Sequence, residues 1–239
     1  MSEAATDEDR QPRRRILYGR RQGPKLRPAR RRLLEERLPA LGFTVGPGHE
    51  LDPFSLFVRP PRAIWLEIGF GGGEHLAEQA ASHPDVGFLG VEPFLNGVAR
   101  LIDAVDARGL GNVRVLMDDA RLLLEALPDA SIERAFVLFP DPWPKARHHK
   151  RRIVNPVTVA ELARVMRAGG ELRLASDDPG YVRWMLATML AEQRFAWLAE
   201  RAADWRERPA DWPPTRYEEK ALRAGRRPVF LRFERVSAA

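Results

Sequence analysis

From about Pro60 onward, short apolar runs alternate with amphipathic stretches, and no other feature limits the fold of this chain as tightly. Ala63–Ile68, Val86–Val91, Val113–Met117, Ala135–Phe139 and Glu171–Ala175 have the length and apolar character of buried strands. Phe94–Ala107 sets Val98, Leu101, Ile102 and Val105 at i, i+3, i+4 and i+7, one face of a helix. The same spacing returns in Val159, Leu162, Ala163, Met166 and in Val182, Met185, Leu186, Met189. Gly109 and the pair Gly169-Gly170 stand where helix C-caps belong, and Pro228–Phe233 reads as a last strand. Strands joined by helices cross over and pair in parallel, so the expected fold is a doubly wound α/β sheet. The chain shows no internal repeat.

A length of 239 residues, 44% of them hydrophobic, suits one generous domain with a tail. Cysteine is absent, which excludes disulfide scaffolds, thiolate zinc sites and cysteine nucleophiles. No window approaches the roughly 18 apolar residues of a membrane helix, and no membrane partner is expected. The start, Met1 to Asp9, is acidic and lacks the apolar core of a secretory signal, so the expected location is the cytoplasm. Formal net charge is +6, and between Arg10 and Arg32 stand eleven Lys or Arg residues and no acid. Pro12, Pro24 and Pro28 oppose a continuous helix there. Residues 1–35 are therefore expected as a flexible basic arm and 36–239 as the folded domain. The arm reads either as a solvated arginine-rich tail or as a segment that orders on nucleic-acid phosphates.

The first chemical motif is Leu66-Glu67-Ile68-Gly69-Phe70-Gly71-Gly72-Gly73-Glu74, which follows a predicted strand and opens a predicted helix. Gly69 and Gly71 let the backbone turn tightly and approach a ligand where a Cβ would collide. The dinucleotide fingerprint needs a third glycine at position 74, and Glu74 stands there instead. A glutamate beside a helix N-terminus repels a pyrophosphate, which disfavours a nicotinamide dehydrogenase. S-adenosylmethionine, with its sulfonium and amino-acid ends, suits the motif. The bland alternative is a glycine-rich turn with no ligand.

At the end of the next strand, Glu92 in Gly90-Val91-Glu92-Pro93 follows Gly69 at close to the spacing of an acid that accepts both ribose hydroxyls. After the third strand, Asp119 is placed to accept from the exocyclic amine of adenine. Asp118 is an equal candidate by chemistry, and capping of the following helix is the plain alternative.

The most informative stretch is Phe139-Pro140-Asp141-Pro142-Trp143-Pro144-Lys145, continued by Ala146 and the basic run Arg147-His148-His149-Lys150-Arg151-Arg152. It leaves the carboxyl end of the fourth strand, beside the first, where doubly wound sheets bind ligands. Three prolines stiffen the loop and hold the carboxylate of Asp141 in fixed geometry. Pro-Asp-Pro alone is common in turns. An aromatic next to cations, however, suits stacking on a base with phosphates nearby. His148 and His149 lack acids at metal-ligand spacing and read as contacts or surface, with no metal expected.

Together these residues resemble the bacterial tRNA (guanine-N7)-methyltransferases, over nearly the whole chain. The resemblance begins at Tyr18-Gly19-Arg20-Arg21-Gln22-Gly23 and passes through Leu66–Gly73, Gly90–Pro93 and Phe139–Ile153, its most specific block. It ends with Ala175-Ser176-Asp177, Thr215-Arg216-Tyr217-Glu218 and Arg232-Phe233-Glu234-Arg235. It implies a mostly parallel seven-stranded sheet, S-adenosylmethionine as cofactor, and methylation of guanine 46 in the tRNA variable loop. It implies cofactor roles for Glu67, Glu92 and Asp119 and a catalytic or cofactor role for Asp141. Substrate roles follow for Lys145, Asp177, Thr215, Arg216, Tyr217 and Glu218, and RNA contact for Arg147 through Arg152. Where the family has Trp after the aspartate, this chain has Asp178-Pro179-Gly180, so Asp177 and Asp178 both stand as guanine contacts. The working unit is a monomer or a homodimer.

Guanine N7 carries a free in-plane lone pair and no proton, so no strong base is needed. Rate comes from alignment of donor and acceptor, and a fixed carboxylate such as Asp141 or Asp177 favours the charge arriving on the purine. N7 lies in the deep groove of A-form RNA, so the base must be unstacked or flipped. Two rivals share the fold: a methyltransferase on another RNA such as ribosomal RNA, and a catalytically silent RNA-binding subunit.

Overall fold

The computed structural model describes residues 17–19, 21–46 and 48–237. Its helices are α1 (Pro28–Leu41), α2 (Glu74–Ser82), α3 (Leu95–Arg108), α4 (Ala120–Ala126), α5 (Pro156–Val165), α6 (Pro179–Ala191), α7 (Ala203–Arg206) and α8 (Arg216–Arg223). Its strands are β1 (Ala63–Ile68), β2 (Val86–Val91), β3 (Val113–Leu116), β4 (Ile132–Leu138), β5 (Met166–Ser176), β6 (Phe195–Trp197) and β7 (Val229–Arg235). The strands form one sheet in the order β3-β2-β1-β4-β5-β7-β6. Pairing is parallel from β3 to β5, while β7 runs antiparallel between β5 and β6. The order reverses between β1 and β4, which sets the ligand-binding switch point of a doubly wound sheet.

All six residues of β1 are buried, because helices cover both faces of a central parallel strand. Ile64, Leu66 and Ile68 pack with Leu123 of α4, Leu162 of α5 and Tyr181 of α6. Trp65 points the other way and joins Phe88 and Phe136 against Leu34 of α1, Leu76 of α2 and Leu101 of α3. The result is three layers, helix–sheet–helix. Gly42, just past α1, bridges to Val115 and shields the β3 edge of the sheet.

Two expectations change. Met166 was expected on a helix face, yet α5 ends at Val165 and Met166 begins β5. Gly169-Gly170 therefore cap no helix. Partners step from Ile132↔Met166 to Arg134↔Glu171, and the extra residues form a bulge with Gly169 at φ +73°. Pro28 lets no helix run through it from the arm, and α1 starts at this residue, where its missing N–H costs nothing. The helix crosses the junction expected between residues 35 and 36, and it docks through buried Leu34 and Leu41. Arg30 pairs with Asp103 of α3, and Arg37 with Asp106 at 2.8 Å. Arg10, Arg13, Arg14, Arg15 and Arg20 lie outside the described residues. Among the described residues no helix is long and apolar enough to cross a membrane.

Candidate active site

Beyond the carboxyl ends of β1 to β4 lies one cleft of about 390 Å³, the size of a small-molecule site. Its first wall is largely backbone. Gly69 (φ +72°) and Gly71 (φ +57°) turn the loop after β1 in the left-handed region, where a side chain costs roughly 1–2 kcal/mol. A Cβ on Gly71 would also stand 2.8 Å from the Tyr217 ring. Glu92, buried at the end of β2, accepts from Gly71 N–H at 2.8 Å and from Phe94 N–H at 2.9 Å. Each bond uses a different carboxylate oxygen, so each oxygen keeps a second lone pair. Burial pushes the Glu92 carboxyl above the usual glutamate range, the two N–H groups pull it back, and nearby Asp141 pushes it up again.

Sequence reasoning missed Gly97 on α3. A Cβ there would lie 2.1 Å from the Gly71 carbonyl oxygen, so α3 packs directly on the glycine loop. A lone glycine inside an apolar helical pattern was the available signal.

Asp118 and Asp119 both line the cleft. Asp119 caps α4, accepting from Arg121 N–H at 3.0 Å, and the Arg121 guanidinium pairs back onto it at 2.9 Å. Asp118 accepts from Asp119 N–H at 2.8 Å. Glu67 lies elsewhere. It is buried behind the glycine loop, 2.7 Å from His75 Nδ1, and borders a small void shared with Gly69, Phe139, Thr215 and Tyr217.

The second wall is the Phe139–Arg152 segment. Phe139 (φ +51°) and Trp143 (φ +43°) occupy the left-handed region on either side of Asp141, conformations that cost roughly 1–3 kcal/mol each. Asp141 is exposed at the cleft. The basic run then divides. Lys145 and Arg147 are exposed and outside the cleft lining, whereas Lys150 and Arg151 line it. The Arg151 guanidinium stacks on Tyr18 and on Trp143, 4.9 Å from each ring centre. This brings Leu17–Gly19 of the arm into the cleft wall. His148 meets Trp143 edge-on at 5.9 Å, and His149 meets Trp184 at 5.4 Å. Arg152 turns inward and is buried.

A third element is α8. Thr215 caps it by accepting from Glu218 N–H at 3.1 Å, and Glu218 pairs with Arg208 at 3.1 Å. Both are buried, which leaves Tyr217 to line the cleft and Arg216 to stack on Tyr217 at 4.9 Å. Arg216 also faces Glu74 at 3.6 Å, and that pair sits at the start of α2. Asp177 and Asp178 lie outside the cleft lining. Asp178 caps α6, accepting from Tyr181 N–H at 2.7 Å, while Asp177 pairs with Arg226 at 2.6 Å. Among the described residues no group of metal-ligating side chains converges.

A family model described as a putative methyltransferase matches residues 61–231. The tRNA (guanine-N(7)-)-methyltransferase of Rhodospirillum rubrum is 54% identical over 222 residues, covering 92% of this chain and 87% of the relative. The enzyme of the same description from Paramagnetospirillum magneticum is 52% identical, covering 92% of each chain. The fold is similar to that of TrmN from Thermus thermophilus, with a TM-score of 0.52 at 16% identity, over 87% of this chain and 48% of that one. It is similar also to a rRNA methylase from Streptococcus thermophilus, with a TM-score of 0.50 at 12% identity, over 73% and 87%.

Proposed function

The chain belongs to the tRNA (guanine-N7)-methyltransferase family, and from that premise we infer which of its residues carry the reaction. It transfers a methyl group from S-adenosylmethionine to N7 of a guanine in tRNA. The acceptor is assigned as guanine 46 of the variable loop, as the family resemblance implies. The enzyme is placed with its substrate in the cytoplasm.

The cleft suits the cofactor on three counts. Gly69 and Gly71 bring bare backbone to its surface, the free lone pairs of Glu92 suit ribose hydroxyls, and Asp118 and Asp119 suit an adenine amine. Bound there, S-adenosylmethionine supplies a methyl group activated by its sulfonium. Glu67 acts from behind the loop, supporting it through His75.

Asp141 stands where positive charge arrives on the purine and favours that charge, a role that needs no proton transfer. Alignment of the acceptor supplies the larger part of the acceleration, on the order of 7–11 kcal/mol. Asp177 offers an oxygen to guanine N1–H and the exocyclic amine while Arg226 holds the other. Lys145, Arg147, His148, His149, Lys150 and Arg151 form the tRNA-facing rim. Thr215 and Glu218 hold α8 so that Arg216 and Tyr217 face the acceptor.

One observation carries this reading: the glycine loop, Glu92, Asp141, Lys150 and Arg151 converge on a single cleft. The test is transfer of labelled methyl to unmodified bulk tRNA, with product nucleosides identified by mass spectrometry. N7-methylguanosine that vanishes with Asp141→Ala is the expected result. An Asp141→Ala enzyme of full activity would overturn the role of Asp141. Cofactor binding with transfer to ribosomal RNA alone would overturn the substrate.

A further inference from the structure

Arg152 stands apart from the basic run that it closes. Lys145, Arg147 and Lys150 are exposed, whereas Arg152 is only 4% exposed. Its guanidinium lies over the rings of Tyr181 and Trp184 at 5.0 and 4.9 Å, and its Nε donates to the Pro142 carbonyl at 2.9 Å. Both rings are themselves tied down. Val154 N–H donates to the Tyr181 hydroxyl at 3.3 Å, and Trp184 Nε1 donates to the Val154 carbonyl at 2.7 Å.

Pro142 directly follows Asp141, inside the segment bracketed by Phe139 and Trp143 at positive φ. Strained backbone persists only where its surroundings over-determine it. The prolines at 140, 142 and 144 remove N–H donors that would otherwise tie the loop down, so its carbonyls must do so. A charge-assisted bond from a stacked, buried guanidinium is the strong form of such a tie.

We propose that Arg152 is a positioning residue for methyl transfer, fixing the Asp141 carboxylate at the cleft by holding the Pro142 carbonyl in place of contacting tRNA. The proposal rests on the reading of Asp141 above. Lysine cannot reproduce the arrangement, because it lacks the planar fork that stacks between two rings while donating in plane.

The test compares Arg152→Lys, Asp141→Asn and the double variant in the full-length enzyme. The readouts are kcat, KM for tRNA, salt dependence of tRNA affinity, cofactor affinity and melting temperature. Arg152→Lys is expected to lower kcat about tenfold or more with cofactor affinity and salt slope unchanged, and to add nothing to the loss in Asp141→Asn. Losses that multiply in the double variant would overturn the proposal in favour of a merely structural role. A raised KM for tRNA with a shallower salt slope and intact kcat would overturn it in favour of RNA contact. Full activity of Asp141→Asn alone sinks the carboxylate's role, whereas undiminished kcat in Arg152→Lys alone sinks the positioning. Should Arg152→Lys fail to fold, Trp184→Phe keeps one stacking face and Trp184→Leu removes it. kcat must then fall in the order Trp, Phe, Leu, and an unchanged kcat in Trp184→Leu overturns the proposal.

Discussion

The two walls of the cleft are held by opposite means. The glycine-loop wall is backbone bonded to one buried carboxylate, with Glu92 bridging Gly71 and Phe94 and with α3 pressed against the loop at Gly97. The Asp141 wall has few backbone donors. Its shape comes from prolines, two strained residues and guanidinium groups stacked on rings. Each such stack contributes roughly 0.5–2 kcal/mol, more where water is excluded. The first wall thus has no room for an added atom at Gly71 or Gly97, while the second depends on particular charges and rings.

The harshest way to break this contrast is Gly97→Ala. Helix propensity alone favours alanine by about 1 kcal/mol. A Cβ 2.1 Å from the Gly71 carbonyl forces α3 and the loop apart, at a net cost of roughly 3 kcal/mol. Calorimetry should show a lower melting temperature together with weakened cofactor affinity, and an unchanged protein would mean that α3 does not shape the loop. On the other wall, Asp141→Asn keeps the volume and removes the charge. It should lower kcat about 100-fold, close to 2.7 kcal/mol, and leave cofactor affinity intact. A variant that loses cofactor binding instead would move Asp141 from the acceptor to the cofactor.

Gly71→Ala separates strain from collision on the first wall. The positive φ and the contact with Tyr217 should together weaken cofactor binding about tenfold. Adding Tyr217→Ala should recover part of that loss, and no recovery would assign all of it to the backbone. A pH titration sharpens the same wall. Burial holds the Glu92 carboxyl above the usual glutamate range, so protonation begins nearer neutrality on acidification. Protonation spoils the acceptors for Gly71 and Phe94, and cofactor affinity should fall as pH falls, with the dependence flattened in Glu92→Gln. The smallest effect is at the rim. Arg147→Ala should raise KM for tRNA a few-fold, reduce the salt slope by about one, and leave kcat unchanged.

Most of the first wall was legible beforehand. β1 and β2 run from Ala63 to Ile68 and from Val86 to Val91, as their apolar runs imply, because central parallel strands bury both faces. Glu92 reaches the cleft because a strand end is a local feature. Glu67 carries the same type of side chain, yet alternation along β1 turns it behind the loop to His75. The second wall was legible as chemistry and not as geometry. Arg151 and Arg152 are adjacent and of one kind, and nothing local says that one stacks on Trp143 at the cleft while the other is buried against α6. Asp177 and Asp178 part in the same way, one to Arg226 and one to a helix cap.

Periodicity, glycine spacing and proline placement act over a few residues, so sequence alone determined the sheet order's parallel core, the glycine loop and the stiffened Asp141 segment. Orientation within that segment depends on partners from distant elements. Tyr181 and Trp184 of α6 draw Arg152 inward, Tyr18 of the arm holds Arg151 at the cleft, and Arg226 beyond α8 claims Asp177. Those choices follow from burial and from stacking between elements that meet only in the folded chain, and the tertiary structure alone decided them.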